Sequence, residues 1–136
     1  MEKIEHIGIA VHSLNKSIPL FEKLLGTECY KTEEILSEMV STAFFKTGES
    51  KIELLEGTEE NSIISKFIAK KGEGIHHIAF GVENIEEEIN RLKSSGFEFI
   101  HDVPKKGADH KLVCFLHPKS TNGILVELCQ EINAES

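Results

Sequence analysis

The sequence predicts an α+β fold made of two tandem βαβββ modules, and three observations lead there. The stretch EHIGIAV, Glu5 to Val11, returns as GIHHIAFGV, Gly74 to Val82, with His6 superimposing on His77 71 positions later. The stretch KIELLEG, Lys51 to Gly57, is answered by ILVELCQ, Ile124 to Gln130, with Glu53 over Glu127 74 positions later. Loop length absorbs the small difference. Between these paired stretches, each half runs strand, helix, then further strands. A repeat of this length means one supersecondary unit used twice.

Each element has a local reason. Lys3 to Val11 alternates small and bulky residues: Gly8 and Ala10 follow His6 on one face, while Ile7, Ile9 and Val11 take the other. Period-2 alternation is the mark of a strand with one packed face, and here the bare face carries a histidine. Ser13 caps a helix to Leu25, with Leu14, Ile18, Phe21, Leu24 and Leu25 at helical spacing and Gly26 as its stop. Pro19 inside it predicts a kink or a shortened first turn. Glu28–Ile35, Met39–Phe45 and Lys51–Leu55 read as strands, the middle one rich in β-branched and aromatic residues. Module one thus covers about residues 3–57. A connector helix, Ile63–Lys70 after the capping pair Asn61-Ser62, lies in a segment of about 61–71 and has no counterpart later.

Module two, about 74–131, restarts the scheme: strand Gly74–Val82, Asn84 as cap, helix Ile85–Ser95, Gly96 as stop. Strands are expected at Phe97–His101, Lys111–Leu116 and Ile124–Cys129. The tail INAES is expected to fray. All 136 residues then form one domain, long enough for a real core.

Composition narrows the function. Hydrophobic residues at 40% and charged residues at 28% are ordinary for a soluble globular protein. A net charge of −8 with a single arginine argues against a nucleic-acid partner. No apolar run approaches a membrane span, and MEKIEHIG lacks the core of a signal peptide. Three cysteines without CxxC spacing, two of them in apolar strands, read as small core residues in a reducing cytoplasm.

Four residues carry the chemistry. A lone histidine in a strand is more often a hydrogen-bonded structural residue than a ligand, and a lone glutamate more often an edge residue. His6, Glu53, His77 and Glu127 together are different, because each half supplies one imidazole and one carboxylate at matching positions. Ionised carboxylates among apolar neighbours need compensation, and one divalent metal ion supplies it. The mixed nitrogen and oxygen set suits Co, Ni, Mn, Zn or Fe, with positions left for a substrate oxygen. His76 falls on the packing face beside Ile78 and reads as structural; His12, His101, His110 and His117 fall in loops or at strand ends. Lys105, Lys106, Lys111 and Lys119 cluster in module two, either as a solvated loop set or as a site for an anion.

From HIGIAV to ELCQ the chain resembles the vicinal oxygen chelate superfamily, the glyoxalase and bleomycin-resistance fold. That resemblance implies a cupped eight-stranded sheet around one metal, with ligands at His6, Glu53, His77 and Glu127, and a homodimer. Within the superfamily, GEGIHHIAFGVENIEEEINRLKSSG and FLHPKSTNGILVEL are most similar to the methylmalonyl-CoA epimerases. The turn HPKS stands where glyoxalase I tends to have a DPDG-type turn, while GADH, Gly107–His110, departs from the GAHG-like loop of the epimerases. The resemblance implies a metal-dependent isomerase that moves a proton at the carbon alpha to a thioester. Glu127 is then the firmer base and Glu53 the weaker, since Val40–Ala43 offers no acid and Glu38 only lies nearby. The substrate is an acyl-CoA or, in the glyoxalase I alternative, a glutathione adduct. A third reading is a binding module of the same fold without catalysis, against which the paired carboxylates argue.

Overall fold

A computed structural model describes residues 1–132 and divides them into two compact units, residues 6–76 and residues 1–5 with 77–132. The fold class is α+β, with eight strands and three α-helices among the described residues. Each half has the order strand, helix, three strands.

In the unit 6–76, β1 (Lys3–Ala10, from His6 on) lies parallel to β4 (Ser50–Gly57), with Gly8 opposite Glu53. β4 continues antiparallel to β3 (Val40–Thr47), and β3 to β2 (Lys31–Ile35), giving the order β2-β3-β4-β1. Helix α1 (Leu14–Leu25) covers one face. Val11, Leu14, Ala43, Phe45 and Leu54 form its core, with Ile9, Ile18, Phe21 and Leu25 packed on it. Ser13 accepts a hydrogen bond from the Lys16 amide, and Gly26 ends the helix at φ 68°. The helix runs unbroken through Pro19, contrary to the expected kink or shortening. Both Pro19 and Asn15 are exposed, so water can reach the Asn15 carbonyl that loses its helical donor. Helix α2 (Ile63–Lys71), capped by Ser62, covers Ala10, Val40 and Leu55 on the opposite face. It approaches so closely that a Cβ on Gly57 would overlap the Ser65 side chain.

In the other unit, β5 (Gly74–Gly81, from His77 on) lies parallel to β8 (Val126–Glu131), with Ala79 opposite Glu127. β8 pairs antiparallel with β7 (Lys111–Leu116), and β7 with the two-residue β6 (Lys105–Lys106), giving β5-β8-β7-β6. Helix α3 (Ile85–Ser94) buries Ile85, Ile89 and Leu92 against Val82, Cys114, Leu116 and Leu128. Burial pushes the Cys114 thiol pKa up, which keeps it an inert core residue.

Three boundaries differ from expectation. Phe97–His101 is not a strand: Phe99 makes a single bridge to Leu116, flanked by Ile100 N–H to Phe115 O and His117 N–H to Glu98 O. The chain then leaves, with Asp102 held by Lys93 at 3.1 Å and Pro104 offering no amide hydrogen, and pairing resumes at Lys105. β2 starts at Lys31 rather than Glu28, because the Cys29 amide is taken by the Glu22 carboxylate. β8 starts at Val126 because the Ile124 amide closes a turn onto Thr121. Of the tail, Ile132 donates to the His110 carbonyl; the rest of the expected frayed segment lies outside the described residues.

Candidate metal-binding and proton-transfer site

The same construction occurs once in each unit. Registered partners in a sheet share a face, so Glu53 opposite Gly8 lies on the face of His6, two residues back. Gly8 has no side chain between them, and His6 Nε2 comes to 3.3 Å from Glu53 Oε1. In the other unit Glu127 lies opposite Ala79, again two residues from the histidine, and His77 Nε2 stands 3.2 Å from Glu127 Oε1. The small residues after each histidine are therefore the space into which the carboxylate folds back.

All four side chains are buried: His6, Glu53 and Glu127 are 6% exposed and His77 5%. At that burial a bare carboxylate is costly, and an imidazole at hydrogen-bond distance offsets only part of the cost. Each pair can offer a cation one imidazole nitrogen and one carboxylate oxygen. The structure thus brings His6 to Glu53 and His77 to Glu127.

Sequence reading missed the aromatic neighbours. Phe44 is the registered partner of Glu53, and Phe115 of Glu127. The Phe115 ring meets His77 edge-to-face, centroids 5.7 Å apart at 83°, and so fixes the imidazole plane. The signal was present, since Phe44 and Phe115 stand 71 positions apart, as do His6 and His77.

A second missed pair acts on the helix side. Glu56 Oε1 accepts from the Leu14 amide at 2.7 Å, and Gln130 Oε1 from the Ile85 amide at 2.8 Å. Each lies three residues after a candidate ligand, on the opposite face of the same strand. One strand therefore presents a carboxylate to one side and ties down the first turn of its module's helix on the other.

The remaining candidates separate cleanly. His76 is half-buried and packs edge-to-face on Phe67, centroids 5.0 Å apart, a structural seat on α2. His12, His101 and His110 are exposed, and His117 Nδ1 accepts from the Lys119 amide as a turn cap. Glu38 is exposed in a short 3-10 turn. The lysine cluster divides: Lys105 and Lys106 are exposed, and Lys119 pairs with Glu98 at 2.6 Å. That hydrogen bond holds the Glu98 carboxyl pKa below its usual range. Lys111, read from the sequence as a loop cation, is buried at 7% exposure, its Nζ 3.9 Å from the buried Glu5 carboxylate.

Comparison with known proteins fits this geometry. The sequence model of the Glyoxalase/Bleomycin resistance protein/Dioxygenase superfamily matches residues 5–115. The chain belongs to that superfamily. Among its relatives, the ethylmalonyl-CoA/methylmalonyl-CoA epimerase of Cereibacter sphaeroides is 38% identical over 130 residues, covering 94% of this chain and 97% of its own. A hypothetical protein from Bacillus halodurans has a crystal structure that superimposes with a TM-score of 0.93 at 47% identity, covering 96% of this chain and 95% of the other. The methylmalonyl-CoA epimerase of Streptomyces coelicolor, solved in complex with 2-nitronate-propionyl-CoA, superimposes with a TM-score of 0.91 at 34% identity. It covers all of this chain and 99% of the other. Among the described residues, no helix of this superfamily member is long and apolar enough to cross a membrane.

Proposed function

We propose that this chain is a metal-dependent methylmalonyl-CoA epimerase, a single domain in which His6, Glu53, His77 and Glu127 hold one divalent ion. The observation that carries the reading is the buried His–Glu pair built twice by the same register, at 3.3 and 3.2 Å. Neighbouring ligands on an octahedral metal with bonds of about 2.1 Å stand roughly 3.0 Å apart, so both pairs suit adjacent coordination positions. Relatives named as epimerases over nearly the whole chain support the substrate class. A homodimer and a cytoplasmic setting go with the reading.

Epimerisation removes a weakly acidic hydrogen from the carbon between thioester and carboxylate and returns a proton to the other face. The bound ion would supply Lewis acidity toward the substrate oxygens on which negative charge develops. The chain supplies the bases. Glu127 takes the proton from one side and Glu53 returns one from the other, each within reach of an imidazole that can steady the carboxylate. Phe44 and Phe115 flank the two carboxylates and limit water around them.

The test is exchange of the α-hydrogen of methylmalonyl-CoA in D2O by metal-loaded protein, followed by mass spectrometry. Deuterium uptake is expected, with Glu127→Gln losing it by a factor of about 10² or more and Glu53→Gln losing less. Turnover of a glutathione hemithioacetal with no exchange on the CoA ester would replace this reading with glyoxalase I chemistry. Tight binding of a thioester with neither reaction would leave a binding module.

A further inference from the structure

Glu127 sits much nearer the end of its paired ladder than Glu53 does. In the unit 6–76, Glu53 is registered with Phe44, and three further pairs follow before the hairpin closes: Phe45–Ile52, Lys46–Lys51 and Thr47–Ser50. In the other unit Glu127 is registered with Phe115, and the ladder ends one pair on, at Leu116–Val126. A longer link, residues 117–125, takes the place of the hairpin and opens with a single 3-10 turn, Pro118–Ser120. Where β8 begins, and so where the Glu127 carboxylate stands against His77, depends on how that link is folded.

The link is held from inside. The Thr121 and Gly123 amides both donate to the Pro118 carbonyl, at 3.0 and 2.8 Å, and the Ile124 amide donates to the Thr121 carbonyl at 3.1 Å. The Leu125 carbonyl then accepts from the Ile78 amide at 3.1 Å, which registers β8 on β5 one residue past His77. His117 starts this series. Its amide donates to the Glu98 carbonyl at 2.8 Å, its carbonyl accepts from the Ser120 amide at 3.0 Å, and its Nδ1 accepts from the Lys119 amide at 3.1 Å. The Lys119 amide is a first-turn donor with no carbonyl ahead of it in the turn, so the imidazole supplies its acceptor. The Lys119 ammonium and the Ser120 hydroxyl tie the link to Glu98, which fixes its place rather than its shape.

Resting on the epimerase reading, we propose that His117 is a positioning residue for Glu127. Its Nδ1 sets the fold of the link, the link sets the start of β8, and β8 aims the carboxylate. His117 is exposed, so replacing it opens no cavity, and a local effect can be read without loss of the fold.

The test compares His117→Leu, which keeps a branched side chain without an acceptor, with His117→Asn, whose Oδ1 is attached at the same carbon position as Nδ1. Amide hydrogen exchange followed by NMR should show about fivefold less protection at Ile78 and Lys119 in His117→Leu, with β3 and β4 unchanged, and wild-type protection in His117→Asn. In the methylmalonyl-CoA exchange reaction, kcat should fall about fivefold in His117→Leu with KM within about twofold, and His117→Asn should recover it. Wild-type protection of Ile78 in His117→Leu, equal losses in both variants, or a change confined to KM would each overturn the assignment. The expected Ile78 pattern in a protein that exchanges no α-hydrogen would instead count against the epimerase reading alone.

Discussion

The two halves agree closely around their buried His–Glu pairs and diverge at their outer strands. His6, Gly8, Phe44, Glu53 and Glu56 match His77, Ala79, Phe115, Glu127 and Gln130 in register and face. The divergence is at the outer strands. β2 is five residues long and fully paired, whereas module two offers one bridge at Phe99 and the two residues of β6. A further difference lies at the start of the third module strand, where Val40 in one half corresponds to Lys111 in the other. Val40 is covered by α2 and packs with Ile64, while Lys111 has no α-helix after it among the described residues and meets Glu5. On the proposed reading, a duplicated site constrains its two copies together, because each would supply a like pair of donors. The edges carry no such constraint and are free to differ.

Breaking the symmetry at the site gives the largest expected effect. Replacing His6 or His77 with Ala removes one proposed ligand from either half, and each variant should lose stoichiometric metal uptake, read by elemental analysis of purified protein. His76→Ala, which loses the edge-to-face contact with Phe67, should keep most of it. Equal metal content in wild type and His77→Ala would sink the four-ligand assignment. Loss in one half alone would show that the copies are alike in structure but unequal in ligation.

Much of this was legible in the sequence because strand periodicity is strict. The alternation after His6 and His77 told which face was bare, and the Glu53–Glu127 match told which strands carried carboxylates. What could not be read was pairing register, which decides that Gly8 faces Glu53 and Phe44 flanks it. The segment Phe97–His101 was misjudged for a related reason. Its apolar residues suit a strand, but the draw of Lys93 on Asp102 and the missing amide of Pro104 end the pairing. Lys111 was misread because a lysine beside a polar loop looks solvated; its burial depends on Glu5, more than a hundred residues away.

The next effect sharpens the Val40–Lys111 contrast. Lys111→Met removes the ammonium that stands 3.9 Å from the buried Glu5 carboxylate and should cost about 3 kcal/mol, seen as a lower urea midpoint with an unchanged slope. Adding Glu5→Leu should recover most of that loss, since an apolar pair would then resemble the Val40 environment of the other half. A double variant no more stable than the single one would mean that the ion pair does something apolar packing cannot replace.

The smallest effect concerns the turn between β6 and β7, for which module one has the short Leu36–Glu38 turn ending at Met39 with φ 55°. In module two, Asp109 and His110 stand in succession at φ 57° and 55°, with the Gly107 amide bonded to the Lys111 carbonyl. Two consecutive left-handed residues are the signature of a type I′ turn, which favours Asn or Asp first and Gly second. Asp109 satisfies the first preference and His110 violates the second. A non-glycine residue held there costs on the order of 1 kcal/mol, and the exposed imbalance has no compensating burial because the His110 side chain is solvated. His110→Gly should therefore stabilise the chain by somewhat less than about 1 kcal/mol, part of the gain being returned as unfolded-state entropy. Thermal or urea unfolding measures it directly. A loss of stability would mean that the imidazole makes a contact whose value exceeds the strain, and would mark the turn as a place where the second half has taken on a task that the first half lacks.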